Sequence, residues 1–351
     1  MLRYKFLGIY ILLPVLFLFS FLKARGQERV DVIRVKDIAS KESFFKKFYG
    51  SMSVAPHYSN ESGVGIMFAY ATKGNLNFIG NISSRESAFA GLSAGYAPGN
   101  GKWQLNYDIF YHVSSPYTWG TGYTSANVYD NKVEVSRRHF IIRGKGLYGI
   151  TRNFSAGPLC SYEFVKWEGL SSVKAFSYGF ESRYDTRDNI ASPTQGVFLL
   201  FRQNNSTCFE NKPFYGTLLQ TDAYFQIWNG GVIATDILGE FTYGEVPVPM
   251  LPTIGGIDRM RGYYKGRYRD NNAVSAQIEF RQQIWAMFGM AAWVGTANVW
   301  GKSESFKISH TLPNAGLGVR FKLNDNASLR LDFGVGKDGQ NGFVFGLNEA
   351  F

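Results

Sequence analysis

From about residue 45 to its last residue, the chain breaks into segments of roughly ten residues in which apolar and polar side chains alternate, the period-two pattern of strands whose faces meet different surroundings. Trp103, Leu105, Tyr107, Ile109 and Tyr111 share one face, and Gln104, Asn106, Asp108 and His112 the other. Phe176, Phe180 and Tyr184 oppose Glu181, Arg183 and Asp185. In 273–284, Val274, Ile278, Phe280 and Ile284 oppose Ser275, Gln277, Glu279, Arg281 and Gln283, and further on Leu329, Leu331, Phe333 and Val335 oppose Ser328, Arg330 and Asp332. Strands are predicted at 47–56, 62–71, 75–82, 88–97, 102–112, 133–143, 152–165, 176–185, 195–204, 215–228, 231–243, 272–284, 287–299, 313–323, 327–336 and 341–351. Connections after even-numbered strands are mostly tight, as at Thr72-Lys73-Gly74, Pro98-Gly99-Asn100-Gly101 and Asn229-Gly230. Those after odd-numbered strands run longer, notably 113–132 and 300–312. This rhythm predicts an all-β protein, a sixteen-stranded antiparallel transmembrane barrel with short periplasmic turns and long external loops.

Composition separates that barrel from a soluble sandwich, which also alternates but feeds its apolar face with aliphatic core residues and charges the other. Here aromatic residues make up 17% of the chain and charged residues 18%, with 39 glycines. After residue 26 no window is apolar for long enough to span a bilayer as a helix. Residues 1–26 read as a signal peptide: Arg3 and Lys5 lead an apolar core from Phe6 to Leu22, and Ala24-Arg25-Gly26 offers small residues for cleavage before Gln27. An uncleaved anchor is the alternative, which Pro14 disfavours by interrupting a core already short for a span. The mature chain then comprises a short periplasmic segment, 27–44, and the barrel, 45–351. Cleavage removes four cations, taking the formal charge from +10 to +6, too small an excess to argue for nucleic acid.

The most distinctive stretch is 255–270, GGIDRMRGYYKGRYRD, inside a predicted loop of nearly thirty residues. Loops that long without structure of their own are uncommon in compact proteins unless they are functional or disordered. Arg259, Arg261, Lys265, Arg267 and Arg269 cannot be buried unpaired, and a polar barrel lumen offers both water and carboxylates. A solvated basic loop is the plainer reading of the same charges.

Three features carry a family resemblance: YDTRDNIASPTQG at 184–196, the Gly255, Gly256, Arg261, Gly262 and Tyr263 set of the GG and RGY motifs, and the final Phe351. Together they resemble the BamA/TamA family, outer-membrane barrels of the bacterial surface antigen type related to two-partner-secretion transporters. The first motif, with Asp185, Arg187, Asp188, Asn189, Pro193 and Gly196, falls in the turn between strands eight and nine, and the second in the sixth external loop. The resemblance implies insertion of proteins into the outer membrane or export of polypeptides across it, with loop six plugging the lumen and a seam between the first and last strands able to open. It implies that Arg261 binds acidic wall residues, Glu279 first and Asp332 second. The family's aspartate on strand thirteen is missing, since Gly295 and Ala297 stand where an acidic residue and a glycine are expected. The POTRA modules that normally precede such barrels have no counterpart in 27–44. Outer-membrane lipid and lipopolysaccharide, polypeptide clients and a periplasmic partner protein are the implied partners. The alternative is a passive porin or ligand channel on the same scaffold.

Phe343, Phe345, Leu347 and Phe351 are expected to alternate toward lipid as a C-terminal barrel signal, with Glu349 interrupting the lipid face. Catalysis is not expected. Gly91-Leu92-Ser93-Ala94-Gly95 matches a nucleophile pattern but lies inside a predicted strand with no following helix. His57, His112, His139 and His310 are scattered, and Cys160, in a strand, and Cys208, in an external loop, lack metal-site spacing, so no cofactor or metal is expected.

Overall fold

The computed structural model describes residues 51–351 apart from 72–75, 99–101, 209–211, 286 and 325–326. The predicted signal peptide, the 27–44 segment and most of the turns expected at Thr72-Lys73-Gly74 and Pro98-Gly99-Asn100-Gly101 lie outside the described residues.

Sixteen antiparallel strands close into one barrel. They are β1 Ser51–Ser59, β2 Gly63–Ala71, β3 Leu76–Ser83, β4 Ser87–Tyr96, β5 Trp103–Ser114, β6 Arg137–Gly149, β7 Phe154–Trp167 and β8 Val173–Asp185. They continue as β9 Gly196–Cys208, β10 Phe214–Trp228, β11 Gly231–Gly244, β12 Asn272–Gln283, β13 Phe288–Trp300, β14 Leu312–Asn324, β15 Ala327–Gly336 and β16 Asn341–Leu347. Closure leaves no exposed sheet edge, the condition for a sheet to cross a bilayer. The predicted alternation becomes the two faces of the wall: Tyr107, Ile109 and Tyr111 are exposed outside, while Asp108 is buried inside, accepting a 2.6 Å bond from the Ser93 hydroxyl. Ser93 thus lies in mid-strand β4, bonded across to β5.

Two predicted boundaries move. Residues 133–136, assigned to the sixth strand in the sequence, lie outside the barrel wall, because Val133–Glu134 pairs with Tyr117–Thr118 in a separate ribbon. The strand β6 instead runs on through Gly144, Gly146 and Gly149, whose missing side chains hide the alternation. The last strand ends at Leu347 rather than 351, where Asn348 takes the left-handed conformation at φ 58° and turns the chain inward. Cys208 is the buried last residue of β9, not a loop residue.

The connections 115–136, 245–271 and 301–311 share one rim, which by their length is the extracellular one. There the helix α1, Tyr123–Asn127, lies over the long loop. Trp119, Tyr123 and Ala126 pack against Ile254, Tyr263 and Tyr268, with Leu312 and Val299 of the wall beneath. Arg267 Nε donates to Ala126 O at 3.0 Å, and Tyr117 N donates to the Tyr264 hydroxyl at 3.0 Å. Each large apolar side chain so removed from water contributes about 1.5–3 kcal/mol, so this packing adds to the single Thr253–Arg269 bridge in seating the upper part of the loop.

Candidate functional site in the lumen

Loop residues 255–270 descend against the inner wall of β11–β15, and the local backbone depends on glycine. Gly262 has φ 108°, and a Cβ on it would lie 2.6 Å from Gly334 O on β15. A Cβ on Gly334 would in turn lie 2.0 Å from Arg261 O, so the absence of both side chains lets the loop backbone touch the strand. Gly255 and Gly256, at φ 98° and 123°, make the preceding bend, and Gly256 N donates to Tyr263 O at 3.3 Å. The Tyr263 hydroxyl closes the loop's upper end, donating to Pro313 O at 2.5 Å and accepting from Lys337 N at 2.8 Å.

This path brings Arg261, 0% exposed, between the two wall carboxylates singled out in the sequence. Arg261 Nη1 donates to Asp332 Oδ2 at 2.7 Å and Nη2 donates to Glu279 Oε2. The planar fork lets one guanidinium bridge β12 and β15. Where the sequence lacks an acidic residue on β13, the indole of Trp293 supplies the opposing face, 3.5 Å from Arg261 Cζ. Asn314 ties both together: its Oδ1 accepts from Trp293 Nε1 at 2.9 Å and its Nδ2 donates to Arg261 O.

Around that pair stands a network which the sequence reading did not single out as a site. Arg281 Nε donates to Glu279 Oε1 at 2.7 Å, Arg320 Nη1 to Asp332 Oδ1 at 2.6 Å, and Arg330 Nη1 to Asp332 Oδ2 at 2.9 Å. Arg330 Nη2 also reaches Asp258 of the loop at 2.7 Å, while Arg259 of the loop forks onto Asp236 of β11 at 2.7 and 2.5 Å. Charges desolvated this far persist only when paired and hydrogen-bonded, and Glu279, Asp332 and Asp236 meet that condition by each accepting more than one hydrogen bond. Arg281, Arg330 and Asp332 all lie at inward parity on their strands, the one sequence signal that points to the network.

The C-terminal residues require a correction. Phe343 is exposed on the outer face, with Phe345 and Leu347 half-buried on the same parity, but Phe351 is not on the lipid face. The left-handed turn at Asn348 carries it inside, where it packs on Tyr224 and Ala234 with Arg281 Cζ 5.1 Å from its ring. Glu349 likewise leaves the lipid face and accepts from Arg320 Nε at 2.8 Å.

On the opposite rim, the 184–196 motif is bonded to itself. Arg187 forks onto Asp185 at 2.9 and 2.7 Å and lies over Phe198. Asp188 accepts from the backbone of Asn189, Thr194 and Gln195 and from the Thr194 hydroxyl, while Asn189 Oδ1 accepts from Ala191 N at 2.7 Å. Partial burial pushes the Asp188 carboxyl up, but these bonds outweigh it and hold it below its ordinary value. Pro193 is buried, and Gly196 turns at φ 106°, where a Cβ would lie 2.4 Å from Thr186 O. The motif is a structural turn, and it meets the C-terminal segment where Ala191 O accepts from Glu349 N at 3.2 Å.

The other side of the lumen differs. Arg143, Ser161, Glu163, Ser177, Arg202 and Asn204, together with the apolar Leu159, Phe214 and Met250, line a cavity of mixed character along β6–β11. Among the described residues no group of His, Cys, Asp and Glu is arranged to hold a metal ion.

Comparison with known proteins agrees with this architecture. The Omp85 superfamily domain matches residues 47–351. BamA from Haemophilus ducreyi, in a structure lacking POTRA domains 1–3, superposes with a TM-score of 0.64 at 15% identity, covering 86% of this chain and 70% of that one. CdiB from Acinetobacter baumannii superposes with a TM-score of 0.58 at 12% identity, covering 85% of this chain and 59% of that one. CdiB from Escherichia coli gives 0.58 at 11% identity, covering 84% and 62%. None of the curated proteins compared with the chain matches it.

Proposed function

The chain belongs to the Omp85 superfamily as an outer-membrane barrel, and from that premise we propose that it takes part in inserting polypeptides into the outer membrane or exporting them across it, with the 245–271 loop plugging the lumen at rest. The observation that carries the proposal is the burial of Arg261 between Glu279 and Asp332, which ties the loop to the wall at its most desolvated point. The seam supports it. Among the described residues β1 and β16 share one register pair, Tyr58 with Phe345, whereas β1 shares nine with β2, from Ser51–Ala71 to Ser59–Gly63. A seam with so little pairing opens at lower cost than any other strand boundary, and an opened edge offers unpaired backbone groups on which a client strand can form. Clients are unfolded polypeptides delivered from the periplasm, by a partner protein that receives them first.

The β6–β11 side of the lumen, where the cavity lies, is where a second reading, a passive channel for small solutes, would run. The two separate on crosslinking. Photoreactive residues at Tyr58 and Asn204 of the full chain in native outer membrane are expected to capture polypeptides in transit. Capture of lipid and of the chain itself alone, together with a steadily open pore, favours the channel.

A further inference from the structure

Above the long loop, several extracellular connections meet at one tyrosine. Tyr123 of α1 is buried, and the His310 ring of the 301–311 connection stacks on it with 4.2 Å between centroids and 11° between planes. Tyr268 of the loop stacks on Tyr123 at 5.9 Å, and the Tyr123 hydroxyl accepts from Lys337 Nζ of the 337–340 connection at 2.5 Å. Glu304 holds the same helix from the 301–311 connection, its Oε1 accepting from Thr124 N at 2.7 Å. Gly122 N donates to Arg269 O at 2.8 Å, which ties α1 to the loop it covers. The 301–311 connection thus fastens α1, and α1 fastens the loop.

One contact in this cap is unfinished. Glu304 Oε2 lies 3.2 Å from His310 Nδ1, with the side chains 17% and 13% exposed, and neither atom makes a hydrogen bond among the described residues. A polar atom left so in a mostly dry site forfeits a bond, and a carboxylate gains most from a charged donor. A neutral imidazole has one N–H and no charge, whereas the imidazolium donates from both nitrogens and carries a full positive charge. The face of Tyr123 attracts that charge as well. The other charged groups around the pair do not cancel the gain. Asp270 of the loop acts on Glu304 as a like charge, so it too favours a cation here. Lys337, 5.1 Å from the centre of the Tyr123 ring, opposes one and is itself offset by Asp338. Lys302 and Lys307 are exposed, where salt screens them.

We propose that Glu304 and His310 form a proton-operated latch: a proton taken up by the His310 ring from the cell exterior draws it onto Glu304 and Tyr123 and fastens α1 over the loop. The closed cap places the ring beside a carboxylate, so it binds the proton more tightly than an opened cap does. Closure is therefore strengthened as pH falls through the range in which histidines charge, from about pH 8 to about pH 5, and weakened as pH rises. The consequence for transport rests on the loop being a plug; the latch itself does not.

The test is hydrogen exchange of the backbone amides of 119–128 in the full chain in lipid bilayers, corrected for the intrinsic effect of pH. Protection is expected to be about tenfold greater at about pH 5.5 than at about pH 7.5. His310→Gln should abolish that difference. Glu304→Gln keeps an acceptor for Thr124 N but removes the charge, so it should flatten the pH dependence while 119–128 stay protected. That variant decides the matter if His310→Gln loosens the cap at every pH. His139→Gln, which removes a second histidine–carboxylate contact, with Glu163 at 3.8 Å in the lumen wall, should keep the full dependence. Equal protection of the wild type at both pH values overturns the latch, as does a dependence that survives in Glu304→Gln or disappears in His139→Gln. Exchange reports on the cap alone. A pH-dependent cap over a steadily conducting lumen sinks the plug and keeps the latch, and a pH-independent cap over a closed lumen does the reverse.

Discussion

At the scale of single residues, Arg261 carries the most weight because it has no solvent to fall back on. Arg261→Ala leaves Glu279 with only Arg281 nearby at hydrogen-bond distance and removes the loop's contact with Asp332, which costs on the order of 3–5 kcal/mol for a dry pair. Glu279→Ala removes the other half of the same contact. Thermal unfolding of the two single variants and the double is therefore expected to be non-additive, with the double little worse than either single. Independent addition means that the two residues are not energetically coupled. Asp188 makes a different kind of contribution. Its carboxyl is held below the ordinary value in the folded turn, so its stabilisation is present above about pH 4 and is lost as pH falls through that depressed value. The melting temperature of Asp188→Asn should lie below that of the wild type at neutral pH, and the gap should close on acidification. A gap that widens at low pH contradicts the assignment.

At the scale of elements, loop and seam make separate predictions. Gly334→Ala places a methyl where Arg261 O now sits, so proteolysis within 245–271 should rise sharply in that variant while the strands stay protected. The seam is tested by Tyr58→Cys with Phe345→Cys, in a chain lacking Cys160 and Cys208. Oxidation should stop client processing and reductant should restore it, whereas unchanged activity when oxidised shows that the seam need not open. Element by element, what could be read from the residues follows from side-chain period. Strands such as β12 and β15 were plain because every second residue was apolar, and Glu279 and Asp332 were visible as wall groups for the same reason. The extension of β6 through Gly144, Gly146 and Gly149 was hidden because glycine carries no facial signal. The inward turn of 348–351 was hidden because Asn348 adopts a left-handed backbone that a period-two reading cannot register. Trp293 was invisible as a partner of Arg261, because an aromatic residue on a strand reads equally as a lipid contact.

For the whole molecule, the distribution of charge is the organising fact: paired ions fill the lumen on the β11–β15 side, a second buried cluster gathers Lys145, Arg183 and Arg202 around Glu181 on the β6–β9 side, and the lipid face is almost bare. Sidedness follows from loop length, so a cysteine placed in 115–136 should label from outside intact cells and one at Asn229 or Gly230 should not. The reverse pattern inverts the barrel. The measurement that bears most directly on the central claim is single-channel conductance of the intact chain against Arg261→Ala. A lumen closed by a loop that Arg261 holds predicts small or rare openings in the intact protein and a larger, noisier conductance in the variant. A steady, solute-selective current through the intact barrel that Arg261→Ala leaves unchanged contradicts it.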